Sequence, residues 1–121
     1  MDIIISGSSS TPIYRQIADQ VASHILSGTL VSGETLPPIR TVARDLDVSV
    51  ITVKKAWEEL ERDGFIYGVV GKGSFVRDLG PSQRDDKRDS MAADQLTREL
   101  PYYRSLGLSK QDLVDLVERL Y

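Results

Sequence analysis

The chain has 121 residues, 40% of them hydrophobic, and a formal net charge of -3 at pH 7, the size and composition of one small globular domain with an attachment. It has no cysteine and a single histidine, which excludes disulfides, thiolate zinc sites and cysteine nucleophiles and leaves almost nothing for metal or triad chemistry. No apolar run approaches the length that crosses a bilayer, and MDIIISGSSS lacks the basic and apolar regions of a signal peptide, so the expectation is a cytoplasmic protein with no membrane partner.

As a total, the negative charge argues against a nucleic-acid partner. Acids and bases are spread nearly evenly along the chain, however, so the question is which face carries which sign.

Thr11-Pro12, a hydroxyl cap followed by proline at the first helical position, predicts the start of a helix. Ile13, Ile17, Val21 and Ile25 then recur every four residues, with Tyr14, Ala18 and Leu26 beside them, up to Gly28. His24 lies at the edge of that stripe with no partners at ligand spacing and reads as an ordinary surface or half-buried histidine. TLVSGETLPP is a punctuated connection with room for a short strand. Pro38 predicts the start of a second, short helix. Ile39, Val42, Ala43 and Leu46 face its core, while Arg40, Thr41 and Arg44 lie off that face. Ser49 caps a third helix with the stripe Val53, Ala56, Trp57, Leu60, and Gly64 ends it. Two helices joined by about three residues are a helix-turn-helix signature. FIYGVVGKGSFV predicts a hairpin, Phe65 to Val70 and Ser74 to Val76, around a tip of Gly71, Lys72 and Gly73. No strand-to-helix transition follows these glycines, so they are not a phosphate loop.

From Asp78 the chain reads as a charged linker or frayed helix start, then two helical patterns. Pro101 is expected to kink or split the first near Leu100. The second follows Ser109, with Asp112 three residues on.

The third helix is charged against its macrodipole, with Lys54 and Lys55 early and Glu58, Glu59, Glu61 and Asp63 late. Lysine preceding glutamate at i,i+4 recovers only about 0.2 to 0.5 kcal/mol per pair. On a helical wheel the side opposite the core holds Ile51 and Lys55, flanked by Thr52 and Lys54. Lysines, a hydroxyl and an apolar tip suit phosphates, base edges and thymine methyls, and the acidic half would lie farther from a duplex. An ordinary solvated face is the competing reading of this helix alone. Arg40, Arg44 and Lys72 on neighbouring elements favour a nucleic-acid surface.

The run ILSGTLVSGETLPPIRTVARDLDVSVITVKKAWEELERDGFIYGVVGKGSFV resembles the winged helix-turn-helix domain of the GntR family of bacterial transcription regulators. PIYRQI ahead of it and the short C-terminus with LGLSKQDLVDLVERL are similar to the YtrA-like branch. The resemblance implies an α+β chain, residues 1–78 forming the DNA-binding domain and 79–121 a linker and helical dimerisation segment. It implies DNA contacts by Arg40, Lys54, Gly71 and Lys72. With the wheel and the hairpin, the expected DNA-binding set is Arg40, Thr41, Arg44, Ser49, Val50, Ile51, Thr52, Lys54, Lys55, Gly71, Lys72 and Gly73. Many relatives carry arginine where this chain has Val50, a residue unable to make a bidentate guanine contact.

The function expected is a sequence-specific regulator of double-stranded DNA, a homodimeric repressor on a two-fold symmetric operator, with transporter genes implied by the resemblance alone. Leu96, Leu100, Tyr103, Leu113, Leu116, Val117 and Leu120 are the expected dimer interface, because so short a tail cannot bury them itself. No cofactor, metal or catalytic constellation is expected, and a small-molecule effector is compatible with this reading but indicated by no residue. The rival readings are a protein-binding adaptor, which predicts little salt-dependent affinity for a duplex, and an enzyme, for which no motif is present.

Overall fold

The computed structural model describes all 121 residues as two compact units, Met1–Gly80 and Pro81–Tyr121. The first contains α1 (Ile13–Ser27), α2 (Ile39–Leu46), α3 (Val50–Arg62), β1 (Ile66–Val69) and β2 (Gly73–Val76). The second contains α4 (Pro81–Ser105) and α5 (Lys110–Leu120).

In the first unit the predicted stripes form the core. Ile17, Val21 and Ile25 of α1, Val42 and Ala43 of α2, and Val53, Ala56, Trp57 and Leu60 of α3 are buried together with Leu30, Leu36, Phe65, Ile66 and Val76. Ala22 joins them, and no polar side chain is buried. α3 packs against α1, α2 and β1 and is thus the central element. The helices start one residue later than expected: Pro12 and Pro38 occupy the cap positions rather than the first helical ones. Their φ values are already near helical, but ψ stays extended at 147° and 144°, which keeps them outside.

β1 and β2 pair antiparallel, with Ile66 opposite Val76 at the buried base and Val69 opposite Gly73 at the tip. Tyr67 and Phe75 stack on the other face at 5.6 Å. The strand expected within TLVSGETLPP is reduced to one bridge, Thr35 to Phe75, with Leu36 N–H donating to Ser74 O.

The N-terminal residues carry an arrangement their composition does not announce. Ser6, Ile4 and Asp2 lie along α1, gripped by Gln16, Gln20 and His24 at four-residue spacing. Gln20 exchanges two hydrogen bonds with the Ile4 backbone (2.8 and 2.7 Å), Gln16 two with Ser6 (2.8 and 3.0 Å), and His24 Nε2 donates to Asp2 O at 2.7 Å. Two residues of extended chain advance nearly as far as four of helix, so the two repeats stay in step.

In the second unit α4 begins at Pro81, so the expected linker shrinks to the few residues before it. α4 also runs through Pro101 without the split expected near Leu100. Proline removes one hydrogen bond, and the flanking i,i+4 bonds carry the helix across it. Ser109 and Asp112 form a complete capping box at the start of α5, Ser109 Oγ accepting from Asp112 N–H and Asp112 Oδ2 from Ser109 N–H. No residue of α4 or α5 is fully buried.

The helix-turn-helix turn depends on Asp47, the one non-glycine residue with positive φ (55°). There Val48 N–H reaches back to Ala43 O at 3.0 Å and closes α2. Aspartate tolerates this left-handed conformation and a β-branched residue does not. Asp47→Val should therefore lower stability by about 1 to 2 kcal/mol while Asp47→Gly does not, read as urea midpoints at unchanged m.

Candidate nucleic-acid interface

The start of α3 is set by Ser49. Its Oγ accepts from Thr52 N–H at 3.1 Å and lies 2.8 Å from the Thr52 hydroxyl. With the cap fixed there, burial of Val53, Ala56, Trp57 and Leu60 fixes the rotation of the helix, and the opposite side of its first two turns faces outward. Ile51 is 79% exposed, Val50 is partly exposed, and Lys54 and Lys55 are exposed.

On α2, Arg40 and Arg44 are exposed and Thr41 is half-buried. Arg44 Nε rests 3.4 Å from Asp45 Oδ1, a contact its exposed side chain can exchange for another. At the hairpin, Val70, Gly71 and Lys72 form the tip, closed by Lys72 N–H to Val69 O at 2.9 Å, with positive φ at Gly71 and Gly73. Arg40, Lys54 and Lys72 form no ion pair. Unneutralised cations thus stand on α2, α3 and the wing, beside an apolar side chain that the core does not use.

The family model for bacterial regulatory proteins, gntR family, matches residues 13–76, from the first residue of α1 to the last of β2. The chain belongs to the GntR family. The HTH-type transcriptional repressor YtrA of Bacillus subtilis (strain 168) is similar to it, 33% identical over 110 residues that cover 89% of this chain and 85% of that protein. A GntR family transcriptional regulator from Listeria monocytogenes superposes with a TM-score of 0.73 at 30% identity, covering 94% of this chain and 99% of that one. The structure of AraR(DBD) in complex with operator ORX1 matches with a TM-score of 0.56 at 28% identity, over 63% of this chain and 95% of that one. The YtrA-like, winged helix-turn-helix assignment expected from the sequence is borne out. Regulators of this GntR type are DNA-binding proteins and not enzymes.

Tertiary contacts change the reading of four α3 residues. The Thr52 hydroxyl, expected to face outward, is held by Ser49 and half-buried. Lys55 does not pair with Glu59; its Nζ stands 4.1 Å from the centroid of the Tyr14 ring. Glu59 is instead occupied by Arg62 Nη1 at 2.6 Å and Arg15 Nη2 at 3.3 Å. Glu61 Oε1 accepts the N–H of Gly68 on β1 at 3.2 Å. Glu59 and Glu61 therefore tie the helix to α1 and the wing, roles that needed the positions of Arg15 and Gly68 to be seen.

The hydrogen bond from Arg62, with the charges of Arg62 and Arg15, outweighs desolvation and holds the Glu59 carboxyl below the ordinary glutamate range. A folded value below the unfolded one gives stability that is complete above the ordinary range and lost as pH falls through the lowered value. Glu59→Gln should therefore be less stable than the parent at neutral pH and converge with it in acid. Urea midpoints measured from about pH 7 to pH 3 check this, and parallel curves would remove Glu59 from the acid response.

Proposed function

We propose that this GntR regulator is a cytoplasmic, homodimeric repressor that binds a two-fold symmetric operator, with Ile51 and Lys54 of α3 in the major groove. The observation that carries the reading is the outward half of α3, where an isoleucine unused by the core stands beside a lysine unpaired with any acid. Such a surface matches thymine methyls and phosphates. AraR(DBD), which shares the fold of the head, is solved with operator DNA, and YtrA is a repressor.

Roles follow from position. Arg40, Arg44 and Lys72 anchor phosphate, and the glycines beside Lys72 let the backbone approach the duplex. Val50 and Ile51 supply apolar contacts, Ser49 and Thr41 supply hydroxyls, and Thr52 acts mainly through the cap. Repression needs no chemistry, since a bound dimer over a promoter occludes polymerase. The association with transporter genes rests on the family resemblance alone.

The second copy is supported by the C-terminal unit. Tyr103, Leu113, Leu116, Val117, Leu120 and Tyr121 line an open apolar groove of about 290 Å³. Leu96 (53%), Val117 (52%) and Leu120 (72%) are left exposed, and Leu100 is only half-buried. Apolar surface of this density is stable when a copy of itself covers it.

Selection of bound duplexes from a random library tests the whole reading, with a symmetric site expected. A chain truncated after Gly80 should sediment as a monomer and bind that site far more weakly, because the two half-sites are no longer linked. A dimer surviving truncation would move the interface to the head. Ile51→Ala should weaken binding to the selected site by about 1 kcal/mol and leave random DNA unaffected. Equal losses on both, or a large drop in thermal stability, would return Ile51 to packing.

A further inference from the structure

Two consecutive residues in the first turn of α1 treat a lysine and an acid of α3 in opposite ways. Lys55 and Glu59 are one helical turn apart, the spacing at which an exposed pair ordinarily forms. Arg15 and Arg62 occupy the Glu59 carboxylate, one on each oxygen. Tyr14, the residue before Arg15, receives the Lys55 ammonium on its ring at 4.1 Å. Lys55 makes no ion pair.

The distinction matters for an anion. A carboxylate neutralises an ammonium, so a phosphate must displace it. A ring face attracts the cation through its quadrupole and leaves the charge intact, with N–H donors free on the side away from the ring. Lysine is otherwise a flexible stem whose rotamers must be fixed on binding, and restraint before the encounter reduces that cost. Tyr14 can supply the restraint because it is itself half-buried and α1 is packed on α3.

We propose that Tyr14 is a positioning residue of the DNA-binding surface: its ring holds Lys55 away from Glu59 and presents the ammonium to a backbone phosphate. The inference rests on the DNA-binding function proposed above and assigns Lys55 to anchoring rather than base readout.

The test uses the full chain and a random-sequence duplex, with affinity measured by fluorescence anisotropy across a salt series. Lys55→Ala should weaken binding and lower the salt slope by about one per subunit. Tyr14→Leu should weaken binding about two- to five-fold. In a Lys55→Ala background it should change nothing, because its effect passes through the lysine. Tyr14→Phe keeps the ring and should bind like the parent. In the free protein, the Lys55 ε-methylene protons should resonate upfield from the ring current, a signature independent of any change in stability.

An equal Tyr14→Leu loss in both backgrounds would overturn the proposal. So would a Tyr14→Phe protein as weak as Tyr14→Leu, an unchanged slope for Lys55→Ala, or ordinary Lys55 shifts in the parent. If the parent still binds duplex with a steep salt dependence in those cases, only the positioning role fails. A parent with no salt-dependent affinity for any duplex would remove the DNA-binding reading itself.

Discussion

The packing of α3 is the constraint on which the head depends. Val53, Ala56, Trp57 and Leu60 form one stripe that must be buried against α1, α2 and the base of the hairpin. Removing one large side chain from such a stripe costs about 2 to 5 kcal/mol, so the rotation of the helix about its axis is not free. Once that rotation is set and Ser49 fixes the first residue, the outward position of Ile51 and Lys54 follows with no further interaction. A fold that needs one side of a short helix for its core leaves the other side of its first turns facing outward.

The charge distribution along α3 follows from the same division of labour. Acids near a helix C-terminus oppose the macrodipole and weaken the isolated helix by a few tenths of a kcal/mol each. Glu59 and Glu61 offset this with tertiary partners, Arg62 and Arg15 for the first and the Gly68 N–H for the second. These contacts fix α3 relative to α1 and the wing, two of the three elements packed against it. The two arginines also occupy the Glu59 carboxylate, which would otherwise neutralise Lys55 one turn earlier. The negative total charge of the chain is thus compatible with an anionic partner, because acids of α3 are engaged within the fold while Arg40, Lys54 and Lys72 are not.

The C-terminal unit is built on a different principle. Its helices are locally well specified, α5 by its capping box and α4 by length, yet neither buries a residue completely. Local signals stabilise ends and turns, and they cannot cover an apolar face. The groove lined by Tyr103, Leu113 and Leu116 marks where local order is complete and tertiary cover is missing.

The sequence by itself determined the elements, because helix periodicity, caps and turn residues are local. The three stripes of the head, the Ser49 and Ser109 caps, the hairpin tip and the family motifs were all legible in it. So were Ile51, Lys54, Arg40 and Lys72 as outward residues, since an apolar stripe defines its own opposite face. The tertiary structure alone decided the partners of side chains distant in sequence. It gave Lys55 to Tyr14, Glu59 to Arg15, Glu61 to the wing, and the backbone of Asp2, Ile4 and Ser6 to a row of side chains on α1. Of the kink or split that Pro101 predicts, the split does not occur, since α4 is continuous through it. Periodicity reports which way a side chain points and is silent on what another element brings to meet it. Two neighbours in space that lie 41 or 44 residues apart leave no period to read.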